Sequence, residues 1–167
     1  MSNKIVKSNQ TRQSADNDKV MTPPHIAEMI VDLFPIKGKV LDPFRGDGAF
    51  YNALPDTLDK EWCEIDDGRD FFDYHKKVDW IVSNPPYSIF SEVMRHSYEI
   101  ADNILYLIPL NKIVSSMGRI REMDKYGGIV SLFIIPANEC GFPFGFPACA
   151  VWIKSGYHDK IEWRIKK

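Results

Sequence analysis

The sequence feature that most constrains the fold is a run of branched apolar residues that ends in two adjacent prolines, VDWIVSNPPY. Such a run predicts a buried β-strand. Pro85 and Pro86 have no backbone N–H to donate and their rings fix φ, so the strand must end at about Ser83. The stiff turn that follows carries the amide of Asn84 and the phenol of Tyr87. It either merely terminates the strand or holds polar groups toward a ligand.

Helices and strands are expected to alternate along the chain. The apolar pattern predicts helices over 22–34, 88–101 and part of 112–128, and strands over 39–44, 61–65, 78–83, 103–110, 129–136 and 149–157. The turn RGDGAF is expected to open a further helix at about Ala49. Thr22 is expected to cap the first helix, with Pro23 at its first position. The last two strands have no helix between them and should pair antiparallel, and KIEWRI allows one more short strand. The expected fold class is α/β: a Rossmann-like, doubly wound sheet, mostly parallel, with an antiparallel C-terminal edge hairpin.

Composition narrows the classes of function. The 167 residues suffice for one domain, expected over 20–167 behind a flexible polar arm at 1–19. No apolar run approaches the roughly 20 residues that span a bilayer, so no membrane association is expected. Three cysteines without CxxC spacing fit a reducing cytoplasm, and no His, Asp or Glu group has metal-ligand spacing.

The net charge of −2 means that a nucleic-acid-binding face must be local. Its candidates are the N-terminal arm, the basic residues of 112–125 and the C-terminal KIEWRIKK. For each of them, a solvated rim of mixed charge is an equal alternative.

Three polar clusters follow predicted strands, at LDPFRGDG, EIDDGRD and SNPPYS. In a doubly wound sheet, ligands bind at the carboxyl ends of the strands. Gly46 and Gly48 allow close approach of a ligand, but Asp42 and Asp47 would repel phosphates, and the turn is neither a P-loop nor GxGxxG. An acidic glycine turn suits a cationic ligand such as S-adenosylmethionine, although a plain strand-to-helix connection is an equal reading.

The second and third clusters suggest contacts to a nucleoside and to an amine. Glu64 suits ribose hydroxyls, and Asp70 with Phe71 suits an adenine, although a solvated acidic loop explains them as well. The side-chain oxygen of Asn84 and the backbone carbonyl of Pro85 can together accept both hydrogens of an exocyclic amine. The amine's lone pair would then be free to take a methyl group.

These motifs, in the order TPPHIAEMI, DPFRGDG, EIDDGRDFF and NPPY, resemble those of S-adenosylmethionine-dependent amino-methyltransferases. The closest group is the DNA adenine-N6 methyltransferases with the gamma order of motifs. The resemblance covers about residues 20–153 and implies the Rossmann-like sheet of these methyltransferases. NPPY also occurs in RNA adenine and protein glutamine methyltransferases, but the latter usually carry an extra helical domain.

Carried over to this sequence, the resemblance implies specific residue roles. The cofactor site would comprise Thr22, Pro23, Asp42, Phe44, Gly46, Gly48, Glu64, Asp70, Phe71 and Asn84. The catalytic turn would comprise Asn84, Pro85, Pro86 and Tyr87. Tyr87 would stack on one face of the target base and Phe144 on the other, with Phe142 and Phe146 as alternatives and a core hairpin as an equal reading.

The resemblance implies methyl transfer to the N6 amine of adenine in DNA, by direct in-line displacement on a flipped or single-stranded base. The DPF form of the glycine motif favours DNA over RNA. The alternatives are an RNA adenine-N6 methyltransferase and a methyltransferase-fold subunit that needs a partner for activity.

The sequence departs from the family in two places. The segment between Glu64 and Asn84 is short, so the third strand of the fold should be truncated or lost. No separate target-recognition domain is expected, so sequence specificity should be low, come from short loops and the N-terminal arm, or come from a homodimer or a partner subunit. Such a small enzyme suits restriction-modification or a phage orphan, in the bacterial or host cytoplasm.

Overall fold

The computed structural model describes residues 20–143 and 145–167, so the predictions for the arm at 1–19 and for Phe144 lie outside the described residues. The helices are α1 (Pro24–Leu33), α2 (Ala49–Ala53), α3 (Phe90–Ile100), α4 (Asn111–Val114) and α5 (Met117–Tyr126). The strands are β1 (Lys39–Asp42), β2 (Asp59–Trp62), β3 (Val78–Ser83), β4 (Ala101–Pro109), β5 (Gly127–Ile135), β6 (Ala148–Ser155) and β7 (Glu162–Ile165). No helix in this part of the chain is long and apolar enough to cross a membrane.

The strands form one sheet in the order β2-β1-β3-β4-β6-β5-β7. Strands β2, β1, β3 and β4 are parallel, whereas β6 runs antiparallel to both β4 and β5. The predicted α/β class, the mainly parallel sheet and the antiparallel C-terminal pair are therefore confirmed. The short strand that KIEWRI allowed also forms: β7 pairs parallel with β5 and lies outside the hairpin at that edge.

The other edge of the sheet ends at β2, and no strand of the described residues lies beyond it. The following segment forms only two short 3-10 turns, Ile65–Asp67 and Phe71–Asp73, before β3 begins. The predicted loss of the third strand is confirmed. These two turns take its place, and Phe71 is buried in the core.

Helices cover both faces of the sheet. Phe34, just after α1, packs edge-to-face against Trp152, whose partner on β4 is Leu105. Phe90 of α3 packs against Tyr106, the next residue of β4. Because successive residues of a strand point to opposite faces, α1 and α3 lie on opposite sides of the sheet. A doubly wound architecture results, with both faces of the central strands buried.

The predicted start of α1 is wrong by one residue. The N-cap is Pro23, which is extended (φ −59°, ψ 135°), and Pro24 occupies the first helical turn without a side-chain cap. The Thr22 hydroxyl instead accepts a hydrogen bond from Asn84 Nδ2 at 3.2 Å. A tertiary contact has replaced the local cap.

We expect Gly127→Ala to destabilise the sheet at the start of β5. A Cβ at Gly127 would lie 2.1 Å from the backbone oxygen of Lys154 and 2.6 Å from the nitrogen of Gly156, so β5 and β6 would have to separate. Urea unfolding should show a loss of at least about 2 kcal/mol. Gly118→Ala in α5 is the control, because its nearest contact is Ser116 Oγ at 3.7 Å. Equal stability of the two variants would contradict this close approach.

Candidate functional site

The carboxyl ends of β1 and β3 and the turns after β2 enclose a cavity of about 310 Å³. The three clusters singled out in the sequence therefore converge on one place. Of the predicted site residues, the cavity is lined by Phe44, Gly46, Glu64, Asp70, Phe71, Asn84 and Pro86. Thr22 lies beside it, in a smaller adjoining depression that Asn84 also borders. Pro23, Asp42, Gly48, Pro85 and Tyr87 do not line the main cavity.

The amide of Asn84 is held in one orientation by the segment that precedes α1. Its Nδ2 donates to the backbone oxygen of Val20 at 2.9 Å and to Thr22 Oγ1 at 3.2 Å. Its Oδ1 accepts from the Tyr87 hydroxyl at 2.6 Å. Both amide hydrogens are thus engaged, and the carbonyl oxygen keeps a second lone pair for another donor.

Tyr87 is buried in this structure. The residue is 7% exposed and its ring packs edge-to-face against buried Phe142 at 5.8 Å between centroids. Lys112 Nζ donates to the Tyr87 backbone oxygen at 3.3 Å and places a positive charge beside the turn. Of the two described phenylalanines in the loop before β6, Phe142 is buried and Phe146 is exposed.

The glycine turn after β1 is closed by a carboxylate. Gly46 N donates to Glu64 Oε2 at 2.7 Å, and Asp66 N donates to Glu64 Oε1 at 3.3 Å. Gly46 and Gly48 both have positive φ, 49° and 88°, and α2 begins directly afterwards. Glu64 therefore binds the turn in this structure, while its oxygens retain lone pairs for further donors.

Asp42 lies beneath the turn rather than in the cavity. Ser83 Oγ donates to Asp42 Oδ1 at 2.6 Å, which ties the end of β3 to the end of β1. The other oxygen, Oδ2, is buried and has no hydrogen-bond partner among the described residues. Burial raises the pKa of the Asp42 carboxyl to about 7. Ser83 was not among the predicted site residues, although its place at the end of a predicted strand was a usable signal.

The far end of the cavity is apolar and acidic. Phe71 packs edge-on against Phe44 at 5.1 Å and against His96 at 4.7 Å between ring centroids. Asp70 Oδ1 accepts from Phe72 N at 2.9 Å, which starts the second 3-10 turn. This end can therefore combine a flat apolar wall with a carboxylate.

Arg45 is a lining residue that the sequence analysis did not single out. Its guanidinium lies 2.9 Å from Asp67 Oδ2 and 3.9 Å from the centre of the Trp62 ring. Arg69 lies 4.0 Å from the same ring. Only the folded chain brings Arg45, Trp62 and Arg69 together, because they come from the turn after β1, the end of β2 and the turn after β2.

The lining as a whole favours a cationic organic ligand over a metal ion. Carboxylates outnumber the one arginine, with Asp47, Glu64, Asp66, Asp67 and Asp70 at the wall. Within the described residues, no group of three or more His, Cys, Asp or Glu side chains could hold a metal ion. The volume lies at the lower end of the roughly 300–1,000 Å³ typical of small-molecule sites.

No protein-family model and no curated protein matches this sequence, but solved structures resemble its fold. A Listeria monocytogenes protein, provisionally described as a class I S-adenosylmethionine-dependent methyltransferase, is 11% identical with a TM-score of 0.70, over 95% of this chain and 69% of its own. The M protein of the type I restriction enzyme EcoKI is 12% identical with a TM-score of 0.57, over 90% and 47%. A Pyrococcus horikoshii protein, provisionally described as an RNA methyltransferase, is 12% identical with a TM-score of 0.56, over 91% and 98%.

At 11% and 12% identity these likenesses establish the fold alone, which is that of class I methyltransferases. The chain spans less than half of the EcoKI protein. It spans nearly the whole Pyrococcus protein.

We expect Asp42→Asn to change how stability depends on pH. The carboxyl has a pKa of about 7 in the folded protein against 3.8 without the fold, so between these values the native state binds more protons. The wild type should therefore lose stability as pH rises from about 4 to about 7, whereas the asparagine does not titrate.

Urea unfolding of both proteins over this pH range tests the expectation. As pH rises from about 4 to about 7, the free energy of unfolding of Asp42→Asn should increase relative to that of wild type, and the difference should level off above about pH 7. The total increase should be a few kcal/mol, because each tenfold change in proton affinity is worth about 1.4 kcal/mol. A constant difference across the range would show that Asp42 is ionised in the fold.

Proposed function

We propose that this protein transfers a methyl group from S-adenosylmethionine to the exocyclic N6 amine of adenine in DNA. The observation that carries the proposal is the Asn84 amide at the carboxyl end of β3. Its two hydrogens are held by Val20 and Thr22, so its oxygen is fixed at the wall of the cavity with capacity for one more donor. An exocyclic amine is such a donor.

The cavity suits the proposed cofactor. S-Adenosylmethionine carries an ammonium and a sulfonium, and when bound it supplies a methyl group that is activated for transfer. An acidic lining attracts such a cation, and an acidic residue after the second strand is the usual ribose partner. We assign Glu64 to the ribose, Asp70 and Phe71 to the adenine, and the turn from Phe44 to Gly48 to the amino-acid end.

Thr22, Pro23 and Asp42 are assigned indirect parts in the same site. Thr22 is bonded to Asn84, and Pro23 sets the start of α1 beside it. Asp42 supports the glycine turn from below, since Phe44 N donates to its Oδ1 at 3.4 Å. These three residues would orient the groups that touch the ligands.

The turn itself would act by position and by electrostatics. Asn84 Oδ1 and the Pro85 carbonyl would accept the two hydrogens of the target amine and so aim its lone pair. Two prolines fix the backbone of this turn in advance, which lowers the cost of holding the amine. Tyr87, whose hydroxyl bonds Asn84 Oδ1, would have to rotate out of the core to stack on a base.

Two observations support DNA as the substrate. The DPFRGDG and NPPY motifs resemble those of DNA adenine-N6 methyltransferases. A protein of a DNA restriction system, the M protein of the type I restriction enzyme EcoKI, shares the fold. The adenine would have to be flipped out of a duplex, or be single-stranded, for its amine to reach Asn84.

An RNA adenine is the second candidate substrate. The Pyrococcus protein provisionally described as an RNA methyltransferase matches this chain over 98% of its own length, so the two folds are of similar size. By contrast, the EcoKI M protein is about twice as long as the matched region. That difference leaves room for a third arrangement, in which a partner subunit supplies target recognition.

We expect Asn84→Ala to abolish methyl transfer. The loss of its oxygen removes an acceptor for the amine. Glu64, Asp70, Phe71 and the turn from Phe44 to Gly48 remain to hold the cofactor, so its affinity should stay within a few-fold of wild type although Asn84 borders the same site. Radioactive methyl incorporation and calorimetry with S-adenosylmethionine measure the two quantities. Asn52→Ala is the matched control, since Asn52 is exposed and does not line the cavity. Full activity of Asn84→Ala would refute the catalytic assignment.

A substrate comparison tests the choice of nucleic acid. Purified protein with labelled S-adenosylmethionine should modify duplex or single-stranded DNA, and digestion should yield N6-methyladenine. Structured RNA of matched length is assayed in parallel. If label enters only RNA, RNA replaces DNA as the proposed substrate. If label enters neither nucleic acid, the chain alone does not act on either, and the arrangement with a partner subunit is the one left to test.

A further inference from the structure

The outermost strand, β7, carries an apolar stripe on its solvent-facing side. Ile161, Trp163 and Ile165 are 52%, 58% and 63% exposed. Alternate residues of a strand share a face, so the three side chains form one row. Arg164 points the other way, where its guanidinium lies 5.6 Å from the centre of the Phe34 ring. The exposed row therefore belongs to an ordered strand that is packed on its other face, and not to a frayed end.

The backbone of β7 also presents unused hydrogen-bonding groups. Lys166 N donates to Ile134 O of β5 at 2.9 Å, so the even-numbered amides of this segment face β5. By alternation, the amides and carbonyls of Ile161, Trp163 and Ile165 face away from the sheet. No other strand of the described residues pairs on that side.

The sequence of this strand is complementary to itself when two copies run antiparallel. In KIEWRIK, centred on Trp163, each Trp163 would face its equivalent and each Ile161 would face Ile165. Each Glu162 would face Arg164 of the other copy, so two opposite-charge pairs would flank the central tryptophans. Lys160 would face Lys166, whose charge is already paired with Glu139.

We propose that β7 is a homodimer interface, in which two copies of this chain pair antiparallel through this strand and join their sheets. The outward-facing residues would form the hydrogen-bonded pairs, and Glu162 and Arg164 would form the alternate pairs, where side chains approach more closely. The six apolar side chains of the two stripes would lie together on one face. A second copy is the occupant favoured here because the charge order of the strand is complementary to itself in the antiparallel direction. Glu162 and Arg164, which lie 3.5 Å apart within one chain, would then also face each other across the two copies.

The charge order gives a direct test in the full-length chain. Glu162→Arg places arginines at both 162 and 164, and Arg164→Glu places glutamates at both. In a homodimer of either variant, side chains of like charge would face each other at both 162–164 positions. The dimer dissociation constant should therefore rise at least about tenfold in sedimentation equilibrium. In an equimolar mixture of the two variants, opposite charges would face each other at both positions, and a heterodimer should form. The double variant, with both charges exchanged, should dimerise like wild type.

Glu92→Arg, an exposed site on α3, is the matched control for the change in charge and should leave the wild-type dimer intact. Far-UV circular dichroism establishes that each variant folds. The proposal would be overturned if the wild-type protein remains monomeric at several hundred micromolar. This holds whether the arm at 1–19 or nothing covers β7. Homodimers of both single variants, or a mixture that fails to associate, would also overturn it.

Discussion

The hydrogen bond from Ser83 Oγ to Asp42 Oδ1, at 2.6 Å, is the contact on which the rest of the site depends. It joins the last residues of β1 and β3, and so fixes the glycine turn relative to the proline turn. An ionised carboxylate in this buried position would be costly, and burial accordingly raises the pKa of the Asp42 carboxyl. The site is thus built around a carboxyl group that serves as a structural link between strands.

A second constraint comes from the segment before α1. Val20 and Thr22 accept both hydrogens of the Asn84 amide. This contact joins parts of the chain that are more than sixty residues apart. It gives a physical reason for a TPP helix ahead of the glycine motif, because that helix start brings the acceptors to the carboxyl end of β3. The oxygen of Asn84 is positioned before any ligand arrives.

Local chemistry explains which parts of the structure were predictable. The end of β3 at Ser83 followed from two prolines, and the start of α2 at Ala49 followed from Gly48, which has a φ of 88°. The convergence of the three clusters followed from the common edge at which parallel strands end. Contacts between residues far apart in the sequence were not predictable, as the hydrogen bonds from Asn84 to Val20 and Thr22 and the packing of Arg45 on Trp62 show. The parallel pairing of β7 outside the hairpin was equally hidden, because its exposed face carries apolar residues and gives no burial pattern.

The loss of the third strand has a consequence for how a ligand enters and leaves. Side-chain contacts hold the wall over Ile65–Asp73: the caps from Glu64 to Asp66 N and from Asp70 to Phe72 N, the ion pair between Arg45 and Asp67, and the buried ring of Phe71. Among the described residues it pairs with no strand of the sheet, and its isolated bridge, between Glu64 and Arg69, is local. Local opening of such a segment costs much less than opening of the sheet. Exchange of a bound molecule can then proceed through fluctuation of this wall on a timescale set by a few contacts, while the strands that hold Asn84 stay closed.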